Sequence, residues 1–143
     1  MPSNSPLGIN LVQLVTIPTS DQSRSLKFYQ SLGFDLCADL PWGDGHRWIE
    51  VYPPGASTGL ALVPAGPDPT GVRTGIILNT TDIDAAHEGM KQMGIDVDED
   101  IARIGSPAKA RIGAVEQAEP QPPMFWFRDP DGNELLLVEP HLP

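Results

Sequence analysis

Three histidines (His46, His87, His141), two carboxylates in strand-like settings (Glu50, Glu134) and three tryptophans (Trp42, Trp48, Trp126) are the side chains with which this sequence could do chemistry. His46, Glu50 and Glu134 are candidates for a metal ion or for acid–base work, since imidazole and carboxylate carry the lone pairs both tasks need. The bland alternative is a surface histidine and solvated rim carboxylates. His87 falls on a helix expected to lie outside the ligand site, and His141 in a terminal tail. The indoles offer flat faces for aromatic or cationic ligands, a cation over such a face gaining about 0.5–2 kcal/mol. Each tryptophan singly is as well explained by core filling. Cys37, the one cysteine, has no basic neighbour to favour its thiolate and reads as inert. A lone cysteine also excludes a disulfide framework and the usual cysteine-based zinc site. Glycine-rich phosphate loops and a serine in a nucleophile elbow are absent.

The 143 residues carry nine basic and nineteen acidic side chains, a formal charge of −10 and a pI near 4.4. Such a chain repels polyanions at long range, which argues against nucleic acid as a partner. The length suits one domain across residues 1–143 with a real hydrophobic core. No apolar run approaches the roughly 20 residues of a membrane span. Met1 to Leu7 has neither a basic start nor an apolar signal segment, so a cytoplasmic protein is expected. Sixteen prolines and fourteen glycines mark frequent chain reversals, as short strands joined by turns require.

An internal repeat says which elements hold these residues. Asp21–Asp35 aligns without a gap on Asp82–Asp96, an offset of 61, with Asp21/Asp82, Gly33/Gly94 and Asp35/Asp96 identical. Each copy begins with an apolar, β-branched stretch, Leu11 to Ile17 or Gly75 to Thr80, that reads as a strand. The aspartate then starts a helix, its carboxylate accepting backbone N–H bonds. Ser25, Phe28, Tyr29 and Leu32 share one helical face, as do Ala86, Met90 and Met93 in the second copy. Gly33 and Gly94 end the helices. Further strands are expected over residues 34–38, 47–52 and 60–63, and over 95–97, 124–128 and 134–139. The turns between them include Gly43-Asp44-Gly45, Pro53-Pro54-Gly55 and Asp129-Pro130-Asp131-Gly132-Asn133. The chain thus reads as an α+β fold of two tandem βαβββ modules, about 8–64 and 73–139, with a Pro/Gly-rich link over about 65–72.

One stretch breaks the symmetry. Residues 98–123 show little strand or helix pattern and hold Arg103, Lys109 and Arg111, three of the nine basic residues. They also contain an echo, Ala102-Arg103-Ile104-Gly105 and Ala110-Arg111-Ile112-Gly113. A long internal loop is expected to be solvated and mobile, or else to act as a lid or dimer arm.

The paired unit, with Ile17-Pro18-Thr19-Ser20-Asp21, Phe28-Tyr29 and Leu32-Gly33-Phe34, resembles the vicinal oxygen chelate superfamily. This is the glyoxalase, bleomycin-resistance and extradiol-dioxygenase group. Thr81-Asp82-Ile83-Asp84-Ala85-Ala86 and Asp129-Pro130-Asp131-Gly132-Asn133 carry the resemblance in the second half. It covers about Gly8 to Glu139. It implies two four-stranded mixed sheets curled into a cup around a small organic ligand, helices outside, commonly as a homodimer. The scaffold hosts lyases, isomerases, dioxygenases and drug-sequestering proteins, so function has to come from the site.

Metal-using members of that group hold a divalent ion with four His, Gln or Glu side chains. The corresponding positions here are Leu14, Ala61, Gly75 and Leu136. Hydrocarbon supplies no lone pairs, so the resemblance implies a lost metal site, no cofactor and an apolar cup. Strand alternation turns Leu14 and Thr16, Gly75, Ile77 and Asn79, and Glu134 and Leu136 inward. Arg47, Trp48 and Glu50 join Ala61 and Trp126 as ligand-facing candidates, although the parity of the third strands is open. The expected function is binding of a small organic molecule, with sequestration as its use. The alternative is an enzyme with a relocated metal site or with metal-free acid–base chemistry at Glu50 or Glu134.

Overall fold

A computed structural model describes residues 6–67, 69–117 and 122–140; His141 lies outside them. The chain divides into two compact units, 1–70 and 71–143, each a mixed sheet with one helix. No helix among the described residues is long and apolar enough to cross a membrane.

In module one, β1 (Leu14–Thr19) leads to α1 (Gln22–Ser31), then β2 (Asp35–Pro41), β3 (Arg47–Tyr52) and β4 (Gly59–Pro64). The sheet order is β1-β4-β3-β2, with β1 parallel to β4 and the other pairs antiparallel. Module two repeats it: β5 (Arg73–Asn79), α2 (Ile83–Gln92), β6 (Asp96–Val97), β9 (Met124–Arg128) and β10 (Glu134–Val138), ordered β5-β10-β9-β6. The first strand begins at Leu14 rather than Leu11 because its partner begins at Gly59, opposite Leu14.

The helix entrances match closely. Asp21 (φ −149°, ψ 99°) accepts from Arg24 N, and Asp82 (φ −151°, ψ 94°) from Ala85 N. Each carboxylate satisfies a donor that the first helical turn leaves free. Thr19 and Thr80 repeat at the same offset, their hydroxyls accepting from Asp21 N at 3.1 Å and Asp82 N at 3.2 Å.

The helix faces depart from expectation in α2. Met93 is half exposed because it is the C-cap, past the last helical residue, and Ile83 and His87, four apart, take the buried face. His87 is itself buried. Its ring is 8 % exposed, bonds through Nε2 to the Asp98 carbonyl at 2.7 Å and stands edge-on to Phe125.

Each sheet buries one face against its helix. Ile49, Val51, Leu60 and Leu62 do so in module one, where Gln22 Nε2 donates to the carbonyls of Arg47 and Leu62. Phe125, Phe127, Leu135 and Leu137 are their counterparts in module two.

The stretch 98–123 is not the patternless loop that was expected. It contains a hairpin, β7 (Ala110–Ile112) and β8 (Val115–Gln117), and Ala102 bridges to Met124. Both alanines of the echo are buried, packing with Met124, Leu136 and Val138 on the sheet face opposite α2. Small side chains at these two positions let the backbone lie close to the sheet.

The final turn fastens the start of module two. Asn133, fully buried, accepts from Gly71 N and Val72 N through Oδ1 and donates to Asp129 Oδ2. The link expected over 65–72 thus ends inside the second unit.

Candidate functional site

Directly paired residues in a sheet point to the same face. Across module two this aligns Ile77, Leu136 and Trp126 in one row on the face opposite α2. That row is the floor of a cavity of about 200 Å³. The turn of the β7–β8 hairpin supplies Arg111, Ile112 and Gly113 as its roof, and Arg73 and Glu134 stand at one side. Trp126 Nε1 donates to the Arg111 carbonyl at 2.8 Å, tying floor to roof. Asn79 pairs with Val138 one row further on, is exposed, and does not line the cavity.

A charged network holds the side of the cavity. Arg128 Nη2 donates to Asp98 Oδ1 at 3.0 Å and Glu134 Oε2 at 3.1 Å, and Asp96 lies 3.6 Å from Nη1. Burial pulls against the Arg128 charge, but Asp98, Glu134 and Asp96 outweigh it and hold the guanidinium above its usual pKa. Arg73 reaches Glu134 Oε1 at 3.7 Å and Arg111 reaches Asp98 at 3.8 Å. Glu134 is thus paired with two arginines.

The homologous row in module one is Thr16, Ala61 and Glu50, opposite α1. Leu14, half buried, and exposed Thr16 both belong to this face, and Ala61 is completely buried. Trp48 and Tyr52 flank Glu50 on the same strand: Trp48 Nε1 donates to Oε2 at 2.6 Å and the Tyr52 hydroxyl to Oε1 at 3.1 Å. Trp42, in the turn after β2, meets Trp48 edge-on with centroids 5.1 Å apart. Tyr52 owes its position to Gly59, because a Cβ there would lie 2.7 Å from the ring. Partial burial, then the Glu50 hydrogen bond and charge, push the Tyr52 hydroxyl above its usual pKa.

Arg47, a ligand-facing candidate whose parity the sequence leaves open, lies away from that row. Alternation along β3 places it with Ile49 and Val51 on the helix side, where it donates to Ser23 Oγ of α1 and pairs with Asp39 at 2.6 Å. That hydrogen bond holds the Asp39 carboxyl below its usual range. Tyr52 was missed in the sequence, although its shared parity with Trp48 and Glu50 was available as a signal.

The four positions that the resemblance assigns to metal ligands do not fit an ion. Leu136 and Ala61 are completely buried hydrocarbon, and Gly75 has no side chain. Gly75 also sits at φ +72° inside a bulge, where β5 spends the four steps from Arg73 to Ile77 against two steps of β10. Thr74 fixes that bulge, donating to the Glu134 carbonyl at 2.7 Å and accepting from Ile76 N at 3.1 Å. Among the described residues, no group of three or more His, Cys, Asp or Glu side chains is placed to hold a metal. Cys37 is exposed at a bulge of edge strand β2.

Comparison with known proteins agrees with this architecture. The antibiotic-binding protein TnmS3 from Streptomyces sp. CB03234 is 37 % identical, with a TM-score of 0.72 over 94 % of this chain and 98 % of that one. A superfamily member from Sphaerobacter thermophilus DSM 20745 is 34 % identical, with a TM-score of 0.74 over 92 % and 98 %. The uncharacterized protein YetH of Bacillus subtilis (strain 168) is 30 % identical over 92 % of this chain and 99 % of its own length. The family model described as Glyoxalase/Bleomycin resistance protein/Dioxygenase superfamily matches residues 10–137, and the chain belongs to that superfamily.

Proposed function

We propose that this protein binds a small organic molecule without a metal ion and acts by sequestering it. The observation that carries this reading is the module-two cavity: an apolar row of Ile77, Leu136 and Trp126 under a hairpin pinned by one indole hydrogen bond. Its volume of about 200 Å³ falls below the range of roughly 300–1,000 Å³ for whole drug-sized ligands. It exceeds the roughly 150 Å³ that accepts a benzene ring, so it suits one aromatic ring or fused pair of a larger molecule. The description of TnmS3 as an antibiotic-binding protein supports the same reading. Glu134 is paired with Arg128 and Arg73, which fits it to orient polar groups at the side of the cavity.

The chain is further read as a cytoplasmic homodimer. Exposed Leu7, Ile9, Leu11 and Val12 give an apolar surface of the kind that protein interfaces cover, which supports the dimer.

The test is a panel of aromatic natural products titrated against tryptophan emission, together with elemental analysis of protein purified without chelator. Saturable quenching that Trp126→Phe weakens, with substoichiometric metal, is the expected result. One tightly held transition-metal ion per chain overturns the metal-free reading. Quenching unaffected by Trp126→Phe removes this cavity from the binding role.

A further inference from the structure

We infer that Glu50, with Trp48, Trp42 and Tyr52, forms a second binding site, in module one, for the protonated amine of an organic cation. The two modules carry opposite chemistry at one register position. Ile77–Leu136–Trp126 crosses the second sheet, and Thr16–Ala61–Glu50, at the equivalent register of β1, β4 and β3, crosses the first. A carboxylate therefore stands where its counterpart is an indole.

What surrounds Glu50 sets it apart from the other strand carboxylate. Glu134 is neutralised by Arg128 and Arg73, whereas among the described residues no lysine, arginine or histidine forms an ion pair with Glu50. Its partners are two aromatic donors, Trp48 Nε1 at 2.6 Å and the Tyr52 hydroxyl at 3.1 Å. These bonds fix the orientation of the carboxylate, and neither brings a positive charge to it. An ionised carboxylate accepts about four hydrogen bonds, so roughly two acceptor directions remain for a ligand. Trp42 and Trp48 meet at 75° with centroids 5.1 Å apart, so a second indole stands against the ring that Glu50 holds, and indole faces attract cations. Trp42 is 55 % exposed, and Glu50 and Trp48 are partly exposed, so a small molecule reaches them. The net charge of −10 concentrates cations around the whole chain.

The inference stands apart from the module-two cavity, and the tryptophans report on the two separately. In ¹⁵N-labelled protein, benzylammonium chloride is titrated against its neutral analogue benzyl alcohol while the three indole N–H resonances are followed. Benzylammonium is expected to move the Trp42 and Trp48 resonances saturably, and benzyl alcohol to bind them more weakly by roughly tenfold or more. Glu50→Gln is expected to remove that preference, and added salt to reduce it. Equal binding of the two probes overturns the inference, as does a silent Trp48 resonance. So does full affinity in Glu50→Gln. Should Glu50→Gln fail to fold, the comparison of the two probes on the unaltered protein decides alone. A response confined to Trp126 overturns the module-one site and leaves the cavity reading standing.

Discussion

The Trp126 indole N–H donates to the Arg111 carbonyl at 2.8 Å, and this one bond joins the β-sheet floor of the cavity to its hairpin roof. Trp126→Phe keeps an aromatic ring but removes the donor. The expected cost is about 0.5–1.5 kcal/mol, felt locally, because the Arg111 carbonyl can turn to water. Hydrogen exchange over residues 110–117 should quicken while α1 and α2 keep their protection. Unchanged protection of the hairpin would refute this role.

Asn133 is completely buried and serves Gly71, Val72 and Asp129 at once. Asn133→Ala leaves two backbone N–H groups and one carboxylate oxygen short of a partner. Urea denaturation should show a loss of about 2–4 kcal/mol, large for a single polar residue. A loss under 1 kcal/mol would mean that water replaces these bonds readily.

Gly75 lies at φ +72°, with nothing within 4 Å of where a Cβ would be. Gly75→Ala therefore meets no clash, only backbone strain, for an expected loss of about 1–2 kcal/mol. Because the residue lines the cavity floor, ligand affinity should fall with it. A neutral effect on stability would show that the bulge relaxes at no cost.

Tyr52 titrates above the ordinary value of 10.0, first through desolvation and then through the Glu50 carboxylate. The folded protein holds this proton more tightly than the unfolded chain, so the sign is set. The associated stability is fully present below pH 10 and is lost as pH rises through the folded value. Absorbance of phenolate against pH should place one tyrosine late, and Glu50→Gln should bring it back toward the ordinary range. If Glu50→Gln leaves that titration in place, the carboxylate has no part in the shift.

The parts of the fold legible in the sequence are those set by local rules. Asp21 and Asp82 cap helices because a carboxylate one residue before a helix has free N–H groups to bind, whatever the rest of the chain does. Alternation placed Ile77, Glu134 and Leu136 around one space. It left Arg47 undecided, since β3 reads Arg-Trp-Ile-Glu-Val-Tyr, with long amphipathic side chains on both faces. The hairpin at Ala110–Gln117 was illegible for another reason. Its strands are three residues each, too short to show a period, and it is held by the distant Trp126 and the buried Ala110. The burial of His87 was illegible because nothing in the helical pattern points to the Asp98 carbonyl that its ring meets.

The left-handed turn of β5 at Gly75 penalises any side chain placed at that point of the sheet. A codon change that put an imidazole at this point would set it on backbone that L-amino acids rarely adopt, and Thr74 would keep the chain in that shape. The shape of the hollow at this point is thus set by main chain rather than by a side chain.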